Sequence, residues 1–358
     1  MAGRIVLFGA TGYTGSLIAR RLVAAGVAPV LAGRDTERLQ ALADRLDGPS
    51  EIVKADALRQ NSVFSLVERG DVLVATVGPF AKYGAVAVRA AVAAGAVYMD
   101  STGEPTFIRR AFEEFDAPAC ESGAALLTAL GYDWVPGALA CALALEDAGD
   151  QAVRADVGYF VKGATASPGT KESLVGATLD PGFAVRDGRL TTERGAVRVR
   201  SFATAGQAFS AGGAEHFTLP LAYDRLREVN TYIGGGALSR GVQLASAATA
   251  LAQKLPGSRT VMQAAGERVA ALLPGRGDTP ASTRVVATAH SARGDQLATT
   301  VLNGPDPYDF TASFMAWAAQ RAATGNVEGT GALSPVLAFG GLAGLHTGCA
   351  AAGISERS

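Results

Sequence analysis

The sequence predicts an α/β fold, a doubly wound parallel sheet with an inserted second domain of α+β character. A short apolar run at 5–8 leads directly into the glycine-rich segment Gly9-Ala10-Thr11-Gly12-Tyr13-Thr14-Gly15, and a helical pattern follows. Strand-like and helix-like segments then alternate as far as about residue 149. This alternation is typical of a parallel sheet covered by helices. Beyond that point, paired strand patterns and polar turns replace it, which predicts mostly antiparallel pairing.

The glycine-rich segment has the spacing that a dinucleotide-binding turn requires. Gly9 allows a tight turn after a strand, Gly12 allows the backbone to approach a pyrophosphate, and Gly15 allows the helix to pack closely on the sheet. The helix would present free N–H groups and the positive end of its dipole to the phosphates. We therefore expect a cofactor to be bound by Gly9, Thr11, Gly12, Tyr13, Thr14 and Gly15. A glycine turn without a nucleotide is the alternative.

The end of the second strand, Gly33-Arg34-Asp35, indicates which dinucleotide is bound. An NAD-selective site usually places an acidic residue there, on the ribose hydroxyls. Arg34 can instead pair with a 2′-phosphate and stack on adenine, so the sequence predicts NADP(H). Two alternatives stay open, namely Asp35 as the ribose ligand shifted by one residue, and Arg34 as an ordinary surface side chain. Asp56 is expected either to bond the adenine amino group or to be a solvated loop residue.

Composition narrows the classes of function. With 358 residues, 48% of them hydrophobic, the chain can form two domains or one large one. A formal net charge of −1 argues against a nucleic acid or an anionic membrane surface as partner. The three cysteines and three histidines show no metal-binding or disulfide spacing, so no metal is expected. No export signal precedes the first strand, and we therefore expect a cytoplasmic protein.

The segment 332–354 carries no formally charged residue and is long enough to span a bilayer. It contains Pro335, five glycines and His346, which favour a buried helix that closes the fold. A weak membrane association is the alternative.

The alternating part of the chain ends its strands in polar or glycine-rich turns. The predicted helices are 36–46, 62–69, 85–94, 107–117 and 138–145, and the predicted strands are 51–55, 71–77, 97–100 and 124–128. The strand 71–77 runs into Gly78-Pro79-Phe80. Because ligands of open α/β sheets bind beyond the carboxyl ends of the strands, we expect this turn to lie beside the nicotinamide half of the cofactor.

The second part of the chain predicts strands at 153–161, 183–186, 197–202, 216–219 and 228–233. The strands 183–186 and 197–202 are expected to pair, and 284–290 is expected to form a hairpin with 296–302. Helices are predicted at 171–178, 238–255, 261–273 and 308–323. We place the domains at 1–149 for cofactor binding, 150–325 for the substrate, and 326–358 for a helical segment that returns to the first domain.

Several motifs resemble those of the saccharopine dehydrogenase-like oxidoreductases, most of all the branch that includes the actinobacterial trans-acting enoyl reductases. They are the glycine-rich turn with Ala32-Gly33-Arg34, then Val77-Gly78-Pro79-Phe80 with Tyr83-Gly84, then Tyr98-Met99-Asp100 with Gly103-Glu104, and Gly131-Tyr132-Asp133 with Pro136. The resemblance implies a Rossmann domain, an inserted α+β substrate domain and a returning C-terminal helix. One departure is Trp134, where the family often has serine, and this much bulkier side chain should change the substrate pocket.

The resemblance also implies the chemistry. It points to an NADPH-dependent reductase whose hydride acceptor is an activated C=C bond of a polyketide- or lipid-like intermediate, a small molecule or an acyl group on a carrier. A C=N or C=O acceptor is the alternative. A protein of another class, which senses NADP(H) without turning it over, also stays open, as does a homodimer.

Several side chains are candidates to assist hydride transfer. No tyrosine has a lysine four residues later, so the Tyr-x-x-x-Lys pair of short-chain reductases is absent. We expect Tyr83 to donate the proton or orient the substrate, with a packed phenol as the alternative. Asp133 is a second catalytic candidate, or the cap of the next helix. The weaker candidates, each with a structural alternative, are Glu104, Lys171 and His216.

Overall fold

The computed structural model describes residues 2–163, 182–203, 205–235, 243 and 281–356. The chain divides into two compact units. The first comprises 1–102, 107–135 and 307–353, and the second comprises 103–106, 136–306 and 354–358. The predicted helices at 171–178, 238–255 and 261–273 lie outside the described residues.

The first unit is built on a parallel sheet of seven strands in the order β15-β6-β5-β4-β1-β2-β3. Its strands are β1 (Ile5–Phe8), β2 (Val30–Gly33), β3 (Glu51–Lys54), β4 (Val72–Ala75), β5 (Val97–Asp100), β6 (Ala125–Leu127) and β15 (Gly331–Ala332). The strands β1, β2 and β4 are buried along their whole length, which explains their continuous apolar sequence. The order reverses beside β1, between β2 and β4, so the Rossmann-type fold class is confirmed.

Helices connect these strands. They are α1 (Tyr13–Ala24), α2 (Thr36–Ala43), α3 (Gln60–Phe64), α4 (Phe80–Ala94), α5 (Pro105–Glu113), α6 (Asp116–Ser122) and α7 (Val135–Ala148), which leads into the second unit. The predicted helix 107–117 is thus wrong as a single element. A new helix begins at Asp116 because Pro118 then falls in its first turn, where a missing N–H costs nothing.

The second unit contains a nine-stranded mixed sheet whose main path is β10-β11-β12-β7-β13-β14-β16. The strands are β7 (Arg154–Lys162), β8 (Gly182–Arg186), β9 (Arg189–Glu193), β10 (Val199–Phe202), β11 (Gly206–Ala211), β12 (Glu228–Gly234), β13 (Ser282–His290), β14 (Gln296–Gly304) and β16 (Ser355–Glu356). Among the described strands only β7 and β12 pair in parallel, as expected for a mostly antiparallel domain.

Two predictions in this unit are wrong. The strands at 183–186 and 197–202 do not pair with each other: β8 pairs with β9 and β10 pairs with β11. The cause is the two-residue turn Asp187-Gly188, whose positive φ angles of 50° and 73° suit a tight hairpin.

The predicted strand 216–219 is instead part of helix α8 (Glu215–Ala222). Glu215, Thr218 and Leu219 are buried, which is the i, i+3, i+4 spacing of one helix face rather than the alternation of a strand. The Thr218 hydroxyl donates to the carbonyl of Ala214, four residues earlier, so a β-branched polar residue is accommodated in the helix.

The C-terminal part of the first unit begins with α9 (Pro307–Ala323), which packs against α1. After β15, the charge-free segment forms two short helices, α10 (Pro335–Ala338) and α11 (Gly341–Ala351). Gly340 and Gly341 separate them with φ angles of 85° and 73°, in the left-handed region. In the described ranges, no helix combines the length and apolarity needed to cross a membrane.

Candidate active site

The glycine-rich turn after β1 leaves no room for side chains. Gly9 has φ of 93°, and the Gly12 N–H donates to the Gly9 carbonyl at 2.9 Å. A Cβ atom at Gly15 would lie 2.4 Å from the same carbonyl oxygen. The Thr76 hydroxyl, just after β4, also donates to it at 3.1 Å. The turns after β1 and β4 are therefore joined, and Thr76 is a site residue that the sequence analysis missed.

The N-terminus of α1 is built to receive an anion. Gly12 is the N-cap and contributes no side-chain hydrogen bond, and the first turn contains no acidic residue. The first N–H groups of a helix have no acceptor within it, and its dipole favours negative charge there. The Tyr13 ring packs edge-on against Tyr308 of α9, with centroids 4.9 Å apart, and this contact holds the first residue of α1 against α9. Backbone groups would therefore form the pyrophosphate site, whose residues remain a prediction.

An open pocket of about 550 Å³ lies at the ends of β2 and β3, beside this turn. It is lined by Thr11, Arg34, Asp35, Thr36, Glu37, Arg38 and Lys54. Three of these side chains are cations, and we call them the pocket cations: Arg34, Arg38 and Lys54. The register of the sheet pairs Gly33 with Lys54, which brings Lys54 to the same end as Arg34. The structure thus adds Arg38 and Lys54 to the predicted site.

The pocket cations are available to a ligand. Within the described part of the chain, neither Arg34 nor Lys54 forms a hydrogen bond or ion pair. Arg38 makes one contact, from its guanidinium to the Thr11 carbonyl at 3.3 Å, which ties it to the glycine turn. All three side chains are exposed. A phosphate group on the ribose would meet two or three positive charges here.

The two acidic residues of this region have other hydrogen bonds. Asp35 is the N-cap of α2, and its carboxylate accepts from the Arg38 N–H at 3.0 Å. It therefore acts as a helix cap, which argues against the alternative of a shifted ribose ligand. The Asp56 carboxylate accepts from the Leu58 N–H at 3.0 Å and holds its own turn. A bond from Asp56 to adenine remains a prediction.

The turn after β4 begins α4 directly. Gly78 and Pro79 are joined by a cis peptide bond, and Pro79 is the N-cap. Tyr83 lies in the first turn of α4 and is half-buried, with the Lys82 ammonium 4.9 Å from its ring centroid. Since β1 and β4 are neighbours, Phe80 and Tyr83 follow the strand next to the glycine turn. Their predicted roles at the nicotinamide end remain predictions.

Asp100, at the end of β5, joins two more strand ends. Its carboxylate accepts from the Thr102 N–H at 2.9 Å, the Thr128 hydroxyl at 2.8 Å and the Ala129 N–H at 2.9 Å. Burial raises the pKa of this carboxyl although the three donors oppose the change. Ala129 has φ of 61°, so the bond from its N–H holds a left-handed residue in place. We assign Asp100 a structural role in shaping the loop that leads to Asp133.

Asp133 follows that loop. Its side chain is exposed, and it accepts no hydrogen bond from the described residues, so the predicted helix cap is not formed there. Crowding by protein atoms nevertheless reduces its solvation and raises the carboxyl pKa to about 6. A carboxyl that titrates near neutral pH can take part in proton transfer.

The neighbours of Asp133 are fixed by packing. The Tyr132 N–H donates to the Thr311 hydroxyl of α9 at 2.9 Å, and Tyr132 and Trp134 are buried. The sequence offers no local signal for this bond, because it joins residues 179 apart.

The weaker candidates Glu104, Lys171 and His216 belong to the second unit. Glu104 and His216 are buried, while Lys171 lies outside the described residues. In the described ranges no group of histidines, cysteines and carboxylates could hold a metal ion.

Comparison with known proteins addresses the same part of the chain. Residues 5–128 match the family described as saccharopine dehydrogenase NADP binding domain. A putative trans-acting enoyl reductase of Mycobacterium tuberculosis is 40% identical over 140 residues, which are 38% of this chain and 33% of that protein. A trans-acting enoyl reductase of Mycobacterium bovis is 37% identical over 141 residues, with 38% and 34% covered. The match therefore spans about a third of the length of these relatives.

The fold of the whole chain has a counterpart among solved structures. The apo saccharopine dehydrogenase (L-Glu forming) of Saccharomyces cerevisiae superposes with a TM-score of 0.60 at 11% identity, covering 97% of this chain and 96% of that one. At this identity the similarity concerns the fold alone.

Proposed function

We propose, from the premise that residues 5–128 of this chain are a saccharopine dehydrogenase NADP-binding domain, that the protein is an NADPH-dependent reductase of activated C=C bonds. The observation that carries the proposal is the pocket beside the glycine turn, where Arg34 and Lys54 have no partner in the described ranges. Exposed cations beside an uncapped helix N-terminus suit a nucleotide with a pyrophosphate and a ribose phosphate.

The residues present divide the binding of NADP(H) between them. The backbone of Gly9, Gly12 and Gly15 would hold the pyrophosphate at the N-terminus of α1. The pocket cations would hold the 2′-phosphate, since guanidinium and ammonium groups pair with phosphate oxygens. When bound, the reduced cofactor supplies the hydride. The protein then orients the substrate against the cofactor and supplies a proton.

The acceptor class follows the names of the relatives, which are trans-acting enoyl reductases. Reduction of an enoyl thioester adds a hydride at the β-carbon and moves the electron pair of the double bond toward the carbonyl oxygen. A proton must then be added at the α-carbon. The carrier-bound acyl group of a polyketide- or lipid-like intermediate is the substrate that we propose.

Two side chains are proposed to take part in the proton transfer. Tyr83 follows the strand beside the glycine turn, and its phenol would donate to the α-carbon or to the enolate oxygen. Asp133, with a pKa of about 6, can exchange protons near neutral pH and would restore the proton to the donor through water. The carboxyl is the weaker candidate as direct donor, because it is largely ionised at pH 7.

The test is NADPH oxidation by the full chain with a panel of enoyl thioesters, cyclic imines and ketones. We expect turnover with the enoyl thioesters. Turnover with imines or ketones alone would move the assignment to C=N or C=O reduction. NADP+ binding with no turnover on the whole panel would favour the sensor.

Tyr83→Phe tests the proton donor. We expect kcat to fall about 10²- to 10⁴-fold, the usual contribution of a positioned acid, while the affinity for NADP+ is unchanged. Asp133→Asn serves as the matched variant, and we expect it to remove the limb near pH 6 from the pH profile of kcat. Full turnover by Tyr83→Phe would exclude the proposed donor.

A further inference from the structure

A group of arginines lies on one face of the second sheet. On β7 and β12, the hydroxyls of Tyr159 and Thr231 donate to Glu215 of α8. Asp156 and Asn230, which pair across the two strands, have the opposite parity, so they lie on the face turned away from α8. Four side chains surround this pair, and we call them the arginine cluster: Arg154, Arg186, Arg198 and Arg200.

One half of the arginine cluster surrounds Asp156. Its fully buried carboxylate accepts from Arg154 at 2.7 Å, from Arg200, and from the Asn230 amide at 2.6 Å. Arg200 also reaches the Thr288 hydroxyl at 3.1 Å. The carboxylate oxygens are therefore saturated with donors from three strands.

The other half surrounds the oxygen of Asn230. That oxygen accepts from Arg186 at 2.6 Å and from Arg198 at 3.4 Å. Glu193 pairs with both arginines, at 3.2 Å to Arg186 and 2.6 Å to Arg198. Asn230 thus links the two halves into one network.

The network has more positive than negative charge. Its four guanidinium groups face two close carboxylates, Asp156 and Glu193. Glu228 is 3.7 Å from Arg154 and 42% exposed, so it compensates little. His290 lies 3.0 Å from Arg200, and burial lowers its pKa, as do the nearby arginines, although Asp156 opposes the change. The described residues leave up to two positive charges unmatched.

These charges are partly withdrawn from water. The cluster side chains are between 21% and 35% exposed, and the buried Nε of Arg198 has no hydrogen-bond partner among the described residues. A half-buried charge without a counter-charge lowers stability, so such an excess calls for an anion. The remaining exposure gives that anion access.

We propose that the arginine cluster is a binding site for a phosphoryl group, separate from the cofactor turn. A phosphate carries one to two negative charges, which matches the excess, and its oxygens suit forked guanidinium donors better than a single point charge would. The group comes either from free phosphate or from the pantetheine 4′-phosphate arm of a carrier. Only the second source rests on the proposed reduction.

The experiment titrates inorganic phosphate, and separately pantetheine 4′-phosphate, into the full chain by calorimetry with NADP+ present in excess to fill the glycine turn. We expect one saturable site. Arg198→Gln and Arg186→Gln should each weaken it at least about tenfold, since a hydrogen bond to a charged group contributes that much. The matched control is Arg189→Gln, because Arg189 is an exposed arginine of the β8–β9 hairpin that also carries Arg186. This variant should bind as the wild type does.

Circular dichroism and NADP+ affinity, unchanged in the variants, establish that they fold. Absence of a saturable site would overturn the proposal, as would equal binding by Arg198→Gln and the wild type. Binding lost in Arg34→Gln instead would assign the phosphate to the first unit and overturn it as well. Tighter binding of pantetheine 4′-phosphate than of phosphate would identify the carrier arm as the source. Because no turnover is measured, failure here is distinguishable from failure of the reductase proposal.

Discussion

The pocket cations and the arginine cluster both concentrate positive charge, but they hold it differently. Arg34 and Lys54 are exposed and have no partner among the described residues, whereas the four cluster arginines are half-buried and share Asp156, Asn230 and Glu193. Exposed single cations contribute little to folding because water solvates them well. In a buried network, each member leaves a desolvated partner when it is removed. We therefore expect the pocket to influence ligand affinity and the cluster to influence stability.

The largest effect should come from the centre of the cluster. Asp156→Ala leaves Arg154 and Arg200 without their carboxylate, and removal of one partner of a buried pair costs about 3–5 kcal/mol of the free energy of unfolding. Urea denaturation followed by circular dichroism measures it. Glu228→Gln is the matched control, because Glu228 is partly exposed and 3.7 Å from Arg154, and it should change stability by less than about 1 kcal/mol. Equal losses in the two variants would remove the distinction between the regions.

The next effect concerns pH and His216 of α8. Burial lowers its pKa to about 4, the Gly213 backbone bond opposes the change, and Arg186 adds to it. Above pH 6.5 both the folded and unfolded forms are neutral, and between 6.5 and 4 only the unfolded chain takes the proton. Stability should therefore fall by up to about 3 kcal/mol over that interval.

His216→Asn is the test of this pH dependence, because its side-chain oxygen can replace the Nδ1 atom that accepts from the Gly213 N–H. We expect the loss of unfolding free energy between pH 6.5 and 4 to shrink in the variant. An unchanged slope would show that other groups cause the acid sensitivity of this unit.

The smallest effect in energy should come from the pocket. Arg34→Gln should weaken NADP+ binding about 10- to 100-fold, as expected for loss of a charge-assisted bond, and Lys54→Gln should weaken it less. NAD+ affinity and the free energy of unfolding should stay within about 0.5 kcal/mol of the wild type. Fluorescence titration measures both affinities. Arg20→Gln, an exposed arginine of α1 outside the pocket lining, is the control. A clear loss of stability in Arg34→Gln would contradict the comparison.

Local sequence was enough to predict the glycine turn, because Gly9, Gly12 and Gly15 lie within seven residues. A Cβ atom added at any of the three would lie close to a backbone atom. Arg34 was found because it directly follows a strand. Lys54 was missed because its place depends on the pairing of β2 with β3. The fold class followed from the alternation of strands and helices, which is also a local signal.

Local sequence patterns could not predict the long-range contacts. Asp156 gains its partners from residues 44 and 74 positions away, Arg200 and Asn230, and no periodicity announces them. His216 was placed in a strand because its apolar neighbours alternate over four residues, while packing of the helix face against β12 determines its conformation. The predicted roles of Tyr83 and Asp133 need a bound substrate and stay predictions.

The division of the first unit has a consequence for how the protein is made. Until residues 307–353 have been synthesised, β15 cannot join the sheet and α9 cannot pack against α1. The ribosome must first add residues 136–306, which at ordinary elongation rates takes roughly ten to thirty seconds. During that interval the surface of α1 that will contact α9 is exposed. The nascent chain therefore has an apolar surface that chaperones can bind before its cofactor site is complete.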